Sequence, residues 1–217
     1  MPATAQSPRT KLRRQPSRGS HDRETIDTVL DEALVAHLGF VHEDQPYVIP
    51  TLHARVGDEV LLHGSSASRA LRTIAAGAPV CLTVTLIDGL VLARSAFHHS
   101  INYRSVVLLG SARLVEDPDE KAAALEVFTE KLVPGRWQSI RWPTRQELKG
   151  TAVLSMPIDE GSAKVRSGPP VDDDDDHALE AWAGVIPLTL VPGAPQPDPL
   201  LRDGIPVPEH VTALTSA

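Results

Sequence analysis

One short run holds residue types suited to chemistry: Leu61-Leu62-His63-Gly64-Ser65-Ser66-Ala67-Ser68-Arg69-Ala70-Leu71-Arg72. An apolar strand pattern ends there. Small hydroxyl residues and a glycine follow, and a helical pattern begins with Arg69 in its first turn. A helix start leaves N–H groups without partners; together with serine hydroxyls and a cation they make a site for a phosphate. Two other segments could meet the same ligand. In Ile49-Pro50-Thr51-Leu52-His53-Ala54-Arg55 a proline interrupts a strand pattern, so backbone groups beside it are free to face a planar, hydrogen-bonding ring. In Asn102-Tyr103-Arg104-Ser105-Val106-Val107-Leu108-Leu109-Gly110 polar residues precede a strongly apolar strand.

Other chemistries find no support. No G-x-G-x-x-G follows a strand, no Walker loop is present, and no G-x-S-x-G elbow occurs. His98 and His99 are adjacent and the other histidines are scattered, so no metal-ligand spacing is expected. The run Asp172–Asp176 lacks the interleaved spacing and turn glycine of an EF-hand loop and reads as a solvated acidic loop. A net charge of -7 argues against nucleic acid as a partner. The lone cysteine, Cys81, lies in an apolar run and reads as a buried, inert thiol in a reducing compartment. No apolar stretch approaches the roughly 20 residues of a membrane span, and the N-terminus has no apolar signal region. A cytoplasmic protein is expected.

With 217 residues, 41% of them hydrophobic, and 19 prolines, the chain reads as one globular core with irregular ends. Residues 1–20 are polar, proline-containing and basic, and read as a disordered arm. Residues 21–191 form the domain, and 192–217 a proline-rich tail, extended or packed on a partner. Ile26, Val29, Leu30, Ala33 and Leu34 share a face of a first helix, expected over residues 22–36 with Asp22 as its cap. Strands are expected over 38–41, 47–55 and 59–63, the last two joined at Gly57-Asp58. A short helix over 66–76 leads to a strand over 80–86, a turn at Asp88-Gly89, and further strands over 90–93 and 103–115. Helices over 117–132 and 143–149, strands over 151–157 and 182–191, and a loop over 161–176 complete the reading. Strands dominate and βαβ alternation is absent, so a mainly β, antiparallel barrel with inserted helices is expected rather than a doubly wound sheet.

Four pieces in order carry a resemblance. They are Ile49 to Arg55, Leu62 to Arg69, Asn102 to Val106, and Ala181-Trp182-Ala183-Gly184-Val185-Ile186-Pro187-Leu188. Over about residues 22–191 the chain resembles the flavin-nucleotide-binding split-barrel proteins related to pyridoxamine 5′-phosphate oxidase, especially the branch with the nitroimidazole-resistance proteins. The resemblance implies a six-stranded antiparallel split barrel, and a homodimer with FMN in the grooves between subunits. It places Pro50, Thr51, Leu52 and His53 along the flavin ring, and His63, Gly64 and Ser65 at the ribityl chain and ring. Ser68 and Arg69 would hold the phosphate, Ser105 with Arg104 would approach the ring, and Trp182 would reach it from the other subunit.

This implies an oxidoreductase acting on a small molecule by hydride transfer at flavin N5. His53 is the candidate for proton transfer, because an unperturbed imidazole titrates near neutral pH. The oxidase has a basic pair where this chain has Ser68-Arg69, and its substrate-phosphate residues have no counterpart here, so vitamin B6 oxidation is not expected. Two further readings stay open: a non-catalytic flavin or haem binder, with His98-His99 as axial ligands, and a deazaflavin-dependent reductase on the same barrel.

Overall fold

The computed structural model describes residue 4 and residues 6–215. The elements in order are β1 (Gly19–Ser20), α1 (Arg23–Glu32), β2 (Val35–His42), β3 (Gln45–Val56), β4 (Glu59–Ser65), α2 (Arg69–Ala75), β5 (Val80–Leu92), β6 (Ser100–Gly110), β7 (Arg113–Leu114), α3 (Pro118–Leu132), α4 (Arg145–Gly150), β8 (Thr151–Pro157), β9 (Glu160–Arg166), β10 (Gly184–Pro187) and α5 (Glu209–Thr215). The strands follow the order β1-β9-β6-β5-β2-β3-β4-β8-β7, with β10 on β5. Every neighbouring pair is antiparallel. This is the mainly β, split-barrel architecture with inserted helices.

The split runs through β3. Residues 45–52 pair with β2, whereas 53–56 pair with β4. The first stretch therefore keeps one edge open. Pro46 lies opposite Val41 and Pro50 opposite His37. A proline has no N–H to give, so residues of this parity occupy the non-hydrogen-bonded positions against β2. The Pro46 and Pro50 carbonyls and both backbone groups of Val48 then point to the open edge. The β2–β3 hairpin closes on Glu43 and Asp44 at φ 49° and 61°, as a type I′ turn requires.

Helix α1 fills the barrel. Asp22 caps it by accepting from the Thr25 N–H, and Ile26, Val29 and Leu30 bury against Leu38, Leu62, Leu82, Leu108, Leu154 and Met156. Each such burial contributes about 1.5–3 kcal/mol. A second cluster sets Ala124 and Phe128 of α3 against Ala54, Leu61 and Val153 on the outer face of β3, β4 and β8.

Several expectations change. The first helix stops at Glu32, and Val35 already belongs to β2. Asp88-Gly89 is an irregularity inside one continuous β5, not a turn between strands. The stretch read as a loop from Gly161 is strand β9, paired with β6 over seven residues. Its small side chains hid it. Gly161, Ser162 and Ala163 are buried, and a Cβ on Gly161 would lie 2.5 Å from Leu108 Cδ2 and 3.0 Å from the Val107 carbonyl oxygen. Close backbone approach, not hydrophobicity, makes this strand.

The described part of residues 1–20 is laid against the barrel rather than disordered. Thr4 is buried and donates to the Gly161 carbonyl at 3.0 Å, Arg9 pairs with Glu160, and β1 adds to the edge of β9. The last strand is Gly184–Pro187, shorter than 182–191. Beyond it the chain runs exposed, with Leu190 87% and Leu200 90% accessible, until α5 returns to set His210 against Gly135. Among the described residues no helix is long and apolar enough to cross a membrane.

Replacing Gly161 by valine forces β6 and β9 apart. Gly161→Val is expected to lower unfolding stability by about 1–3 kcal/mol in urea titration, as overpacking does. An unchanged midpoint would contradict the close packing.

Candidate functional site

The corner after β4 forms as its residue types suggest. Ser65 Oγ accepts from the Ala67 N–H at 3.2 Å, the Ser68 N–H donates to the Ser65 carbonyl at 2.9 Å, and Ser68 Oγ caps α2 by accepting from the Leu71 N–H at 3.5 Å. The N–H groups of Arg69 and Ala70 have no intrahelical acceptor at this helix start. Gly64 is needed for closeness: a Cβ there would meet Leu71 Cδ1 at 3.0 Å.

Among the described residues, two guanidinium groups stand at the corner without a carboxylate partner. Arg69 lies 4.5 Å over the Tyr47 ring, which stacks on Phe40 at 5.5 Å. Arg72 donates from Nε to the Ser66 carbonyl at 3.0 Å. Tyr47 belongs to the open-edged half of β3, so that edge and the corner share a neighbour. Nothing in the sequence pattern singled out Tyr47, because its role depends on a ring contact across 22 positions.

His63 packs against Phe128 with ring centroids 4.2 Å apart and planes tilted by 51°, and its Nδ1 is buried without a partner among the described residues. Burial holds its pKa below the usual imidazole range. Thr51 donates to the Leu52 carbonyl at 3.2 Å, and Leu52 packs on the α3 cluster. Ser105 donates to the Lys164 carbonyl at 3.2 Å.

The other expected site residues lie in different surroundings. His53 is 1% exposed. The carbonyl of Leu30 accepts from its Nε2–H at 2.9 Å and from the Lys131 ammonium at 2.8 Å. Burial, reinforced by the Lys131 charge, pushes His53 down to about 4. It is neutral at pH 7 and shielded from solvent, which removes the reason for expecting proton transfer from it. Lys131 is itself pushed down to about 8 by burial. A cavity of about 650 Å³ borders Lys131, but its Arg55 is already committed to Asp31 and Asp27. Arg104, expected at the ring, is held by Asp88 at 2.8 Å and by Glu32, so both faces of its fork are occupied. Hydrogen bonding to Glu32 and then Asp88 raises its pKa, fixing the charge in a structural pair. Trp182 is exposed and lies over Gly184. Its neighbour β10 hangs on residues 89–92 of β5, separated from β4 in the sheet by β2 and β3. One chain alone does not bring Trp182 to the corner.

The histidine pair 98–99 separates by role. His98 Nε2 lies 3.3 Å from an Asp173 carboxylate oxygen. His99 donates from Nδ1 to the Ser95 carbonyl at 2.9 Å and is exposed, which fixes the tautomer with the Nε2 lone pair outward. Phe97 beside it is 89% exposed.

A split barrel with an open strand edge beside helix-start N–H groups and two guanidinium groups has the chemistry to hold an anionic ligand. Residues 22–165 match the model of the pyridoxamine 5′-phosphate oxidase family, and the chain belongs to that family. It is similar to the flavocytochrome Anf3 from Azotobacter vinelandii, at 43% identity and a TM-score of 0.92, over 97% of this chain and 98% of that one. It is similar also to the FAD and heme binding protein from Mycobacterium smegmatis, at 40% identity and a TM-score of 0.87, over 91% of this chain and 97% of that one. A proposed 5-nitroimidazole antibiotic resistance protein from Bacteroides thetaiotaomicron shares the fold, at 21% identity and a TM-score of 0.56, over 68% of this chain and 86% of that one. No curated protein matches the chain.

The setting of His53 gives a pH dependence with a definite sign. The folded pKa, about 4, lies below the unfolded value near 6.5, so the unfolded chain binds the extra proton between them. The stability is fully present above pH 6.5 and is lost as pH falls toward 4. Thermal unfolding from pH 7 to 4.5 is expected to show a steeper loss for the wild type than for His53→Gln, by up to about 3 kcal/mol. Parallel curves would show that His53 does not titrate this way.

Proposed function

We propose that the protein is a flavin-binding oxidoreductase of the flavocytochrome kind, a homodimer that carries haem as a second cofactor. The observation that carries the reading is similarity of 40–43% identity over almost the whole chain to two proteins whose names state flavocytochrome, or FAD and heme. The chain's own residues fit a flavin. Arg69, Arg72 and the free N–H groups of α2 suit its phosphate. The open edge of β3 at Val48 and Pro50 offers backbone groups to its ring, and the buried Nδ1 of His63 lacks a partner that a ligand could supply. They also fit haem, since His99 offers Nε2 with its tautomer already fixed, next to the exposed Phe97 ring.

When bound, the flavin supplies hydride chemistry and the haem single-electron chemistry; the protein supplies binding, orientation and electrostatics. Burial holds the pKa of His63, the imidazole in the corner run, below the usual range, which makes it a poor proton donor at neutral pH. That suits electron transfer to a small-molecule acceptor better than the oxidation of a phosphorylated amine. A cytoplasmic setting agrees with the single cysteine.

The second subunit has a surface to meet. Register places Ile101, Leu90 and Ile186 side by side on β6, β5 and β10, and all three are exposed. A contiguous apolar row of this kind marks an interface. Trp182 lies beside that row in sequence, so a partner's barrel is the surface it would meet, together with that partner's flavin.

The purified protein is expected to show both a flavin band and a Soret band. Arg69→Ala should weaken flavin binding by about 1.5–3 kcal/mol, the loss of a charge-assisted bond, and leave the Soret band in place. His99→Ala should abolish the Soret band and keep the flavin. Colourless protein with affinity for neither cofactor would overturn the reading, and an intact Soret band in His99→Ala would move the ligand to another histidine. In Trp182→Ala, equilibrium sedimentation and flavin titration should register weaker dimerisation and weaker flavin binding together; no change in either would separate Trp182 from the site.

A further inference from the structure

A group of metal-ligating side chains lies beyond the end of β5, whereas the corner and α2 precede its start. His98, on the connection from β5 to β6, faces the aspartate run 172–176, and its Nε2 lies 3.3 Å from an Asp173 carboxylate oxygen. Asp176 makes the group three: one ligand atom each from His98, Asp173 and Asp176, all within 4.8 Å of one another. The two aspartates share a side because the run is wound into a 3₁₀ turn over Asp174–Ala178, where the Asp176 N–H donates to the Asp173 carbonyl at 3.0 Å. Side chains at i and i+3 eclipse in such a turn.

Both segments are held in place by other contacts. The Asp172 side chain is 1% exposed and accepts from the Arg94 N–H and from Arg94 Nη1, each at 2.9 Å, which ties the run to the end of β5. Buried Arg166 donates to the Pro169 carbonyl at 3.2 Å and fixes the chain that leads into the run. The Ser95 carbonyl accepts from the His98 N–H at 3.3 Å and closes the turn that presents the imidazole. Negative charge is left over at the group. Arg94 is committed to Asp172, and among the described residues none of Asp173, Asp174, Asp175 and Asp176 pairs with a lysine or an arginine. Gathered carboxylates repel one another, and a bound cation relieves that repulsion.

Donors about 2.1 Å from a tetrahedral ion lie about 3.4 Å from one another. The His98–Asp173 separation of 3.3 Å already has that length. We propose that His98, Asp173 and Asp176 bind a divalent transition-metal ion of the zinc class, with solvent completing its shell on the exposed side of Asp173. The imidazole donor selects zinc over calcium and magnesium, which take oxygen ligands. The ion clasps the aspartate run to the β5–β6 connection and so steadies the chain that leads on to Trp182 and β10. The site stands apart from the flavin and haem readings and does not depend on them. Spacing in the sequence hides it, because the histidine and the two carboxylates sit on different connections, and the fold alone sets them face to face.

Isothermal titration of the purified, chelator-dialysed protein with zinc chloride tests this, with calcium and magnesium chloride as comparisons. Zinc is expected to bind at one ion per chain and to raise the Tm of the wild type. His98→Ala and Asp176→Asn should each weaken zinc binding by about tenfold or more, since loss of a group that merely supports a ligand already costs that much. Asp175→Asn, exposed and outside the group of three, should bind zinc as the wild type does. Should His98→Ala fold poorly, the isosteric Asp176→Asn carries the test. No zinc binding by the wild type would overturn the site and leave His98 and Asp173 as an ion pair. Wild-type affinity in both His98→Ala and Asp176→Asn would place the zinc elsewhere. An equal loss in Asp175→Asn would reduce the effect to diffuse attraction by the acidic run, and calcium binding as tight as zinc would remove the imidazole from the ligand set; either result overturns the proposal.

Discussion

Strand β3 cannot pair along its whole length with one neighbour. Its first half lies against β2 and its second half against β4, and the change falls between Leu52 and His53. Pro46 and Pro50 allow this, because a residue with no N–H leaves a ladder position that need not be filled. The open edge that results would be a liability in an ordinary sheet, inviting pairing with another chain. Here Tyr47, from the same half-strand, leans on Arg69 and brings the corner after β4 to that edge. The barrel is thus split at the place where its cations collect.

Charge compensation differs from place to place in the fold. Arg104 ties α1 to β5 through Glu32 and Asp88, and Arg55 ties β3 to α1 through Asp31, whereas the buried Arg166 is held by Asn102 and by the Gly168 and Pro169 carbonyls. Among the described residues, Arg69 and Arg72 at the corner pair with no carboxylate: Arg69 lies over the Tyr47 ring and Arg72 donates to the Ser66 carbonyl. The same contrast separates the histidines. His53 is buried and kept neutral as a link between α1, β3 and α3, whereas His99 is exposed with one nitrogen engaged and the other free.

Legibility followed the type of interaction. The corner from Leu61 to Arg72 could be read because its parts are neighbours in the chain: strand end, hydroxyl turn and capped helix. Helix α1 and the long apolar strands could be read because burial leaves a period in the sequence. Strand β9 could not, because it is held by close approach of small residues, which carry no hydrophobic signal. The parts played by His53 and Arg104 could not be read either, since the Leu30 carbonyl, Lys131, Glu32 and Asp88 that define them lie 16 to 78 positions away.

By itself the sequence determined the family, the antiparallel barrel with inserted helices, and the run of strand end, hydroxyl turn and capped helix from Leu61 to Arg72, because those depend on local order and on side-chain periodicity. Tertiary structure alone decided which cations stay free, which histidine is open to a ligand, and where the open edge of β3 meets Tyr47 and Arg69. The reason is that charge compensation and burial are properties of neighbours in space. A lysine or histidine in the sequence carries no mark of which carboxylate, carbonyl or ring will lie beside it once β3 has changed partners.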